Sequence, residues 1–203
     1  RPRKIWCIGL RRIRSDPRRN SSRNSKHVTT LKQYENNRYS RILGYGASRG
    51  EVIVHNNDIV EAINSSDEWI KQRTGISTRH RASENQTVND LAIAAAHDAL
   101  ANSHVTGEQI DAVIISTISH PYATPSLAVL VADAIGSRCP AYDISAACAG
   151  FCYGIAQADA MVRSGMAQNV LVIGVEKLSD FIDNTERSIS FLLGDGAGAA
   201  LSL

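Results

Sequence analysis

The sequence predicts an α/β fold, a mostly parallel mixed sheet with helices on both faces. Three observations carry this. Asp111–Ser116 and Val170–Val175 are short, β-branched apolar runs of the kind buried on both sides. Helix signals fall between the strand signals: a Thr87/Asp90 capping pair, Thr124-Pro125, and a charge-free stretch from Ala146 to Ala158. Alternation of the two element types is the pattern of a covered parallel sheet.

Taken in order, Tyr39–Gly46 starts the structure, with Ile42-Leu43-Gly44 as a short strand. Asn56 or Asn57 caps a helix over Asp58–Asn64. Ser65 and Glu68 make a capping box for a short helix that carries Trp69 and ends at Gly75. Thr87 and Asp90 open a helix through about Asn102, with Leu91, Ala95 and Ala99 on one stripe. Thr124 caps a helix over Pro125–Ile135, and Gly136 supplies its left-handed end. A strand at Ala141–Ile144 leads into a helix that opens at Cys148, apolar on all sides, and closes near Gly165. Phe191–Leu193 and Ala199–Leu203 read as two closing strands. The glycine-rich link between them, Gly194–Gly198, lacks the Lys-Ser/Thr of a phosphate loop and reads as a tight turn, with Asp195 accepting backbone N–H groups.

The 203 residues are 43% apolar and 21% charged, ordinary for a globular chain. The net charge of +2 conceals a division. Residues 1–41 carry 13 basic and 2 acidic side chains, net +11, and the rest carries 9 basic and 18 acidic, net −9. Residues 1–38 have little apolar periodicity and are expected to be a disordered or non-native extension. A nucleic-acid arm and an organelle transit segment are the other readings of that composition, and nucleic-acid binding is not expected. Residues 39–203 form the domain. No apolar run approaches the length of a membrane span. Four irregularly spaced cysteines (Cys7, Cys139, Cys148, Cys152) make no disulfide framework and favour a reducing, cytoplasmic setting. No histidine pair accompanies Cys148 and Cys152, so no metal is expected.

Cys148 has two readings on its own. A free cysteine is commonly a small buried hydrophobe. A thiol at a helix start also faces free backbone N–H groups, which favour the thiolate and would hold an oxyanion. Ala146, Ala147, Ala149 and Gly150 leave a substrate room to reach it. Trp69 likewise either packs its short helix or, beside Arg73, sandwiches a flat ring. None of the six histidines sits in a motif that makes it a base.

The run Asp143-Ile-Ser-Ala-Ala-Cys148-Ala-Gly-Phe151 resembles the nucleophile segment of the beta-ketoacyl-acyl-carrier-protein synthases III, of the thiolase superfamily. Ser65–Ile76, Val170–Glu176, and Arg187 followed by Gly194–Ala199 match the same family in the same order, so the resemblance runs from about Arg41 to Leu203. It implies the first half of a duplicated thiolase-like fold, with Cys148 as the acyl-accepting nucleophile. Trp69 and Arg187 would hold the adenine of coenzyme A, Arg73 and Thr74 would line the same groove, and Thr124 would border the acyl pocket of a partner subunit. The implied reaction joins acyl-CoA to malonyl-acyl-carrier protein with loss of carbon dioxide, without a cofactor, in a homodimer. Its histidine and asparagine belong to the family's second half and have no counterpart before Leu203. A polyketide-priming ketosynthase and an inactive thiolase-fold partner are the alternatives.

Overall fold

The computed structural model describes residues 39–202. The basic extension expected over 1–38 lies outside the described residues, as does Leu203. In chain order the elements are β1 (Ile42–Arg49), β2 (Val52–His55), α1 (Asp67–Thr74), β3 (Thr78–Arg81), α2 (Val88–Ser103), β4 (Ala112–Ser116), α3 (Leu127–Ala134), β5 (Ala141–Ile144), α4 (Gly150–Ser164), β6 (Val170–Glu176) and β7 (Gly196–Ser202). The main sheet has the order β1-β7-β6-β4-β5, and β2 pairs with β3 in a separate two-stranded sheet. β4 is parallel to both β5 and β6, and β7 runs antiparallel to β6 and β1. Four strands therefore point one way and β7 alone the other.

Alternation along the central strands divides the core. Val113, Ile115, Leu171, Ile173 and Leu201 face α2 and α3, and Ala112, Ile114, Val170 and Val172 face α4. α2 starts at the predicted box: Asp90 N–H donates to the Thr87 hydroxyl (3.2 Å), and Thr87 N–H donates to the Asp90 carboxylate (2.8 Å). The Thr87 hydroxyl, then its amide, hold the Asp90 carboxyl below the usual carboxylate range. The predicted stripe Leu91, Ala95 and Ala99 is fully buried. α2 lies tight on β1 because Gly46 has no side chain; a Cβ there would sit 2.3 Å from the Ala95 carbonyl oxygen.

The other face is covered less. α4 buries one stripe, Gly150, Gly154, Ala158 and Val162. Phe151 (37%) and Tyr153 (56%) are exposed on α4, and so is Tyr45 (75%) on the same side of β1. The expectation of a helix buried on every side is corrected: the sheet covers one face of α4, and no second layer lies against the opposite one among the described residues.

Other expectations shift for local reasons. The helix placed at Asp58–Asn64 is a single 3₁₀ turn, Asn56–Asp58, followed by turns. Asn56 does not cap it, because its side chain is drawn inward to Asp67, the Ile76 carbonyl and Arg79. α1 is capped by Ser66 rather than Ser65, with Trp69 N–H donating to its hydroxyl (3.1 Å), and ends as predicted at left-handed Gly75. α3 starts at Leu127 with Ser126 as its cap, not at Pro125 with Thr124. Its next free amides, of Leu127 and Ala128, donate to the Asp143 carboxylate of β5 at 2.7 and 2.8 Å. Phe191–Leu193 forms turns rather than a strand, and the glycine-rich stretch enters β7 directly.

Replacing Gly46 by alanine pushes a methyl group into the α2 backbone. We expect a loss of about 1–3 kcal/mol of stability, read from the urea midpoint with an unchanged slope.

Candidate functional site

Three parallel strands end at one edge of the sheet, since Ser116 of β4 is level with Ile144 of β5 and Gly174 of β6. Open α/β sheets bind ligands at this carboxyl edge. The loop after β4 carries Thr124, the turn after β5 carries Cys148, and the segment after β6 carries Arg187. β1 ends level with β6 across β7, at Arg49 and Glu176 opposite Gly196, so the excursion holding α1 and Trp69 starts from the same edge.

The β5–α4 turn is short. Ala147 has φ +45°, a left-handed conformation rare for a side-chain-bearing residue, and a 3₁₀ turn over Ala147–Ala149 follows before α4. Cys148 lies in this turn, two residues ahead of the helix that was expected to open on it, and it is exposed. The turn is drawn tight by Gly150, whose absent Cβ would fall 1.8 Å from the Ser116 hydroxyl oxygen. A left-handed non-glycine residue of this kind costs about 1–3 kcal/mol and persists only where surrounding packing imposes it. Cys152, one turn on, is also exposed, and Cys139 is half-buried. Among the described residues no cluster of three or more histidine, cysteine or acidic side chains gathers to hold a metal.

Trp69, Arg73 and Arg187 are brought together. The Arg73 guanidinium lies 4.2 Å from the centre of the Trp69 ring and that of Arg187 lies 4.8 Å away. Phe191 meets the same ring edge-on, centroids 5.4 Å apart. Trp69 packs on Ile59, Ile63, Ile70 and Phe191, and its ring carries two cations. Thr74 is beside them, but its hydroxyl closes the helix, donating to the Ile70 carbonyl (2.8 Å) and accepting from Ile76 N–H (3.0 Å). Thr124 is exposed in the loop before α3.

Several residues that shape this edge carried no signal in the sequence. Glu176, at the end of β6, accepts from Ile118 N–H (3.0 Å) and the Ser119 hydroxyl (2.6 Å), tying the β4 and β6 loops together. Arg79 is buried and donates to the Phe191 carbonyl (3.1 Å), the Val54 carbonyl (3.2 Å) and Asn56. Burial first, then Arg81, draws its pKa down, with Asp58 opposing. Asn56 passes the network to Asp67 (2.8 Å), whose carboxyl Lys71 and then Asn56 hold below the usual range. Asp195, read correctly as a backbone acceptor, takes Ala82 N–H (2.7 Å) and Ser179 N–H (2.9 Å).

The fold and its carboxyl-edge turn are those of one half of a thiolase-like unit. A family model described as 3-oxoacyl-[acyl-carrier-protein] synthase III matches residues 142–201. The beta-ketoacyl-[acyl-carrier-protein] synthase III of Kocuria rhizophila is 62% identical over 175 residues, covering 86% of this chain and 49% of the relative. That of Tropheryma whipplei is 53% identical over 165 residues, covering 81% and 51%. Among solved structures, 3-oxoacyl-[acyl-carrier-protein] synthase III from Aquifex aeolicus superposes with a TM-score of 0.78 at 41% identity, covering 80% of this chain and 53% of the other. A priming beta-ketosynthase of a polyketide biosynthetic pathway gives 0.80 at 40% identity, covering 85% and 52%. The chain belongs to the beta-ketoacyl-acyl-carrier-protein synthase III family, and it spans about half the length of the curated relatives it matches.

The left-handed Ala147 gives this turn a measurable signature. Ala147→Gly should keep or raise stability, by about 1 kcal/mol at most, and Ala147→Val should lower it by at least about as much. Chemical denaturation of the two variants reads the difference.

Proposed function

We propose that this chain is the nucleophile-bearing, N-terminal half of a 3-oxoacyl-acyl-carrier-protein synthase III, the acyltransferase that starts fatty-acid chains from acyl-CoA and malonyl-acyl-carrier protein. The observation that carries the reading is the exposed Cys148 in a strained turn, on the same sheet edge that bears the Trp69–Arg73–Arg187 cluster. The cluster offers an aromatic face and two cations, suited to the purine and phosphates of coenzyme A. The Cys148 sulfur attacks the thioester carbonyl, the carbonyl oxygen becomes an oxyanion, and its collapse expels coenzyme A thiolate and leaves an acyl-cysteine. No cofactor enters that step; acyl-CoA is a substrate.

The second step needs a malonyl-acyl-carrier protein, whose carboxylate leaves as carbon dioxide and whose enolate then attacks the acyl-cysteine. Two hydrogen-bond donors must hold that enolate, and by the family resemblance they are a histidine and an asparagine of the second half. Acylation is therefore the part of the reaction we assign to these 203 residues. We place the protein in the cytoplasm as a homodimer. The free Cys139, Cys148 and Cys152 suit a reducing compartment, and β5 is an edge strand of the sheet. The structural similarity to a priming beta-ketosynthase at a TM-score of 0.80 supports a second reading, priming of a polyketide. An inactive interaction partner is disfavoured by the exposed thiol.

Incubation with acetyl-CoA, followed by peptide mass spectrometry, should find an acetyl group on the Cys148 peptide and none on the Cys148→Ala protein; an unmodified Cys148 refutes the assignment. Thr124→Phe should lower labelling by isobutyryl-CoA relative to acetyl-CoA, and an unchanged ratio removes Thr124 from the acyl pocket. The exposed Tyr45, Phe151 and Tyr153 surface should make the isolated chain self-associate. A monomer of 22.0 kDa in size-exclusion chromatography with cooperative melting would contradict this.

A further inference from the structure

The segment that carries Arg187 is exposed from Asp183 to Ile189 and has almost no core of its own until Ser190 and Phe191. It is stitched to four consecutive residues of and after β3. The Arg79 guanidinium donates to the Phe191 carbonyl (3.1 Å), and the His80 carbonyl accepts from Asp195 N–H (2.8 Å). Arg81 donates from one guanidinium nitrogen to the Asn184 side chain (2.7 Å) and from another to the Ser190 carbonyl (3.3 Å). Ala82 N–H donates to the Asp195 carboxylate (2.7 Å). Asn184 and Ser190 stand three residues before and three after Arg187, so the fork of one arginine brackets the residue at the crest of the loop. The other side of the cluster, Trp69 on α1, reaches β3 through the short link Gly75–Ser77.

We infer that Arg81 is a positioning residue that sets the distance from Arg187 to the Trp69 ring, and so the affinity for the nucleotide end of coenzyme A. The inference rests on the coenzyme A reading above. Only a planar guanidinium offers two donors at the spacing that spans Asn184 and the Ser190 carbonyl together. Arg79 anchors the same segment one residue further on, from a buried site, and supports what Arg81 fixes.

The test is calorimetric titration of the full chain with two probes, coenzyme A and 4′-phosphopantetheine, which lacks the nucleotide. Arg81→Ala should weaken coenzyme A about fivefold to tenfold and leave 4′-phosphopantetheine unchanged. Arg81→Lys should not restore binding, and Arg81→Ala combined with Arg187→Ala should bind no more weakly than Arg187→Ala alone. Asn184→Ala, an exposed change that leaves the core untouched, should reproduce part of the loss. Equal weakening of both probes, rescue by lysine, or additive losses in the double variant would overturn the positioning role. Arg187→Ala with wild-type coenzyme A affinity overturns the coenzyme A reading and this inference with it. A weakened Arg187→Ala beside unaffected Arg81→Ala and Asn184→Ala overturns this inference alone.

Discussion

The close approach of α4 to the sheet sets the rest of the site. Two glycines permit it: a side chain at Gly150 would strike the Ser116 hydroxyl, and one at Gly154 would come within 2.7 Å of Val172. With the helix axis pinned there, the few residues after β5 must turn abruptly, and Ala147 takes a conformation it would avoid in a free peptide. Cys148 is then held away from the buried stripe of α4, outside the hydrophobic core. Strain in the turn and exposure of the thiol are two consequences of one packing contact.

The same edge of the sheet gathers the second half of the site by a different device. The excursion from β1 to α2 and the segment from β6 to β7 share one small core, Ile59, Ile63, Ile70 and Phe191, and hydrogen bonds join them around it. Arg79, buried, donates to two carbonyls and to Asn56. Such a network fixes geometry because every member left unpaired would carry a desolvation cost. It sets Trp69 and Arg187 facing one another.

What the sequence revealed follows from which forces act locally. β4, β6 and the buried stripe of α2 were legible because burial on known faces writes a period into the residue types, and Gly75 and the Thr87–Asp90 box because caps are short-range. The β2–β3 pair was not: Thr78-Arg-His-Arg81 is polar in every position, and its strand character comes from antiparallel pairing with β2. Caps also misled where tertiary acceptors compete. Asp143, fifteen residues from Ala128, takes over amides at the start of α3, so Thr124 has no capping work. The family was legible as a resemblance in the residues around Cys148, while the exposure of Cys148 and the left-handed Ala147 were not, because both depend on how closely α4 meets the sheet. Charge-free sequence suggested a wholly buried helix; the sheet covers a single face.

The proposed chemistry requires that the Ala147 turn present one thiol of the folded domain for reaction ahead of its neighbours. A time course with limiting iodoacetamide, each cysteine peptide followed by mass spectrometry, measures this directly. Cys148 should be alkylated first, ahead of Cys152 and Cys139, and coenzyme A should slow its modification selectively. Equal rates for Cys148 and Cys152, or a Cys148 rate indifferent to coenzyme A, would contradict the account.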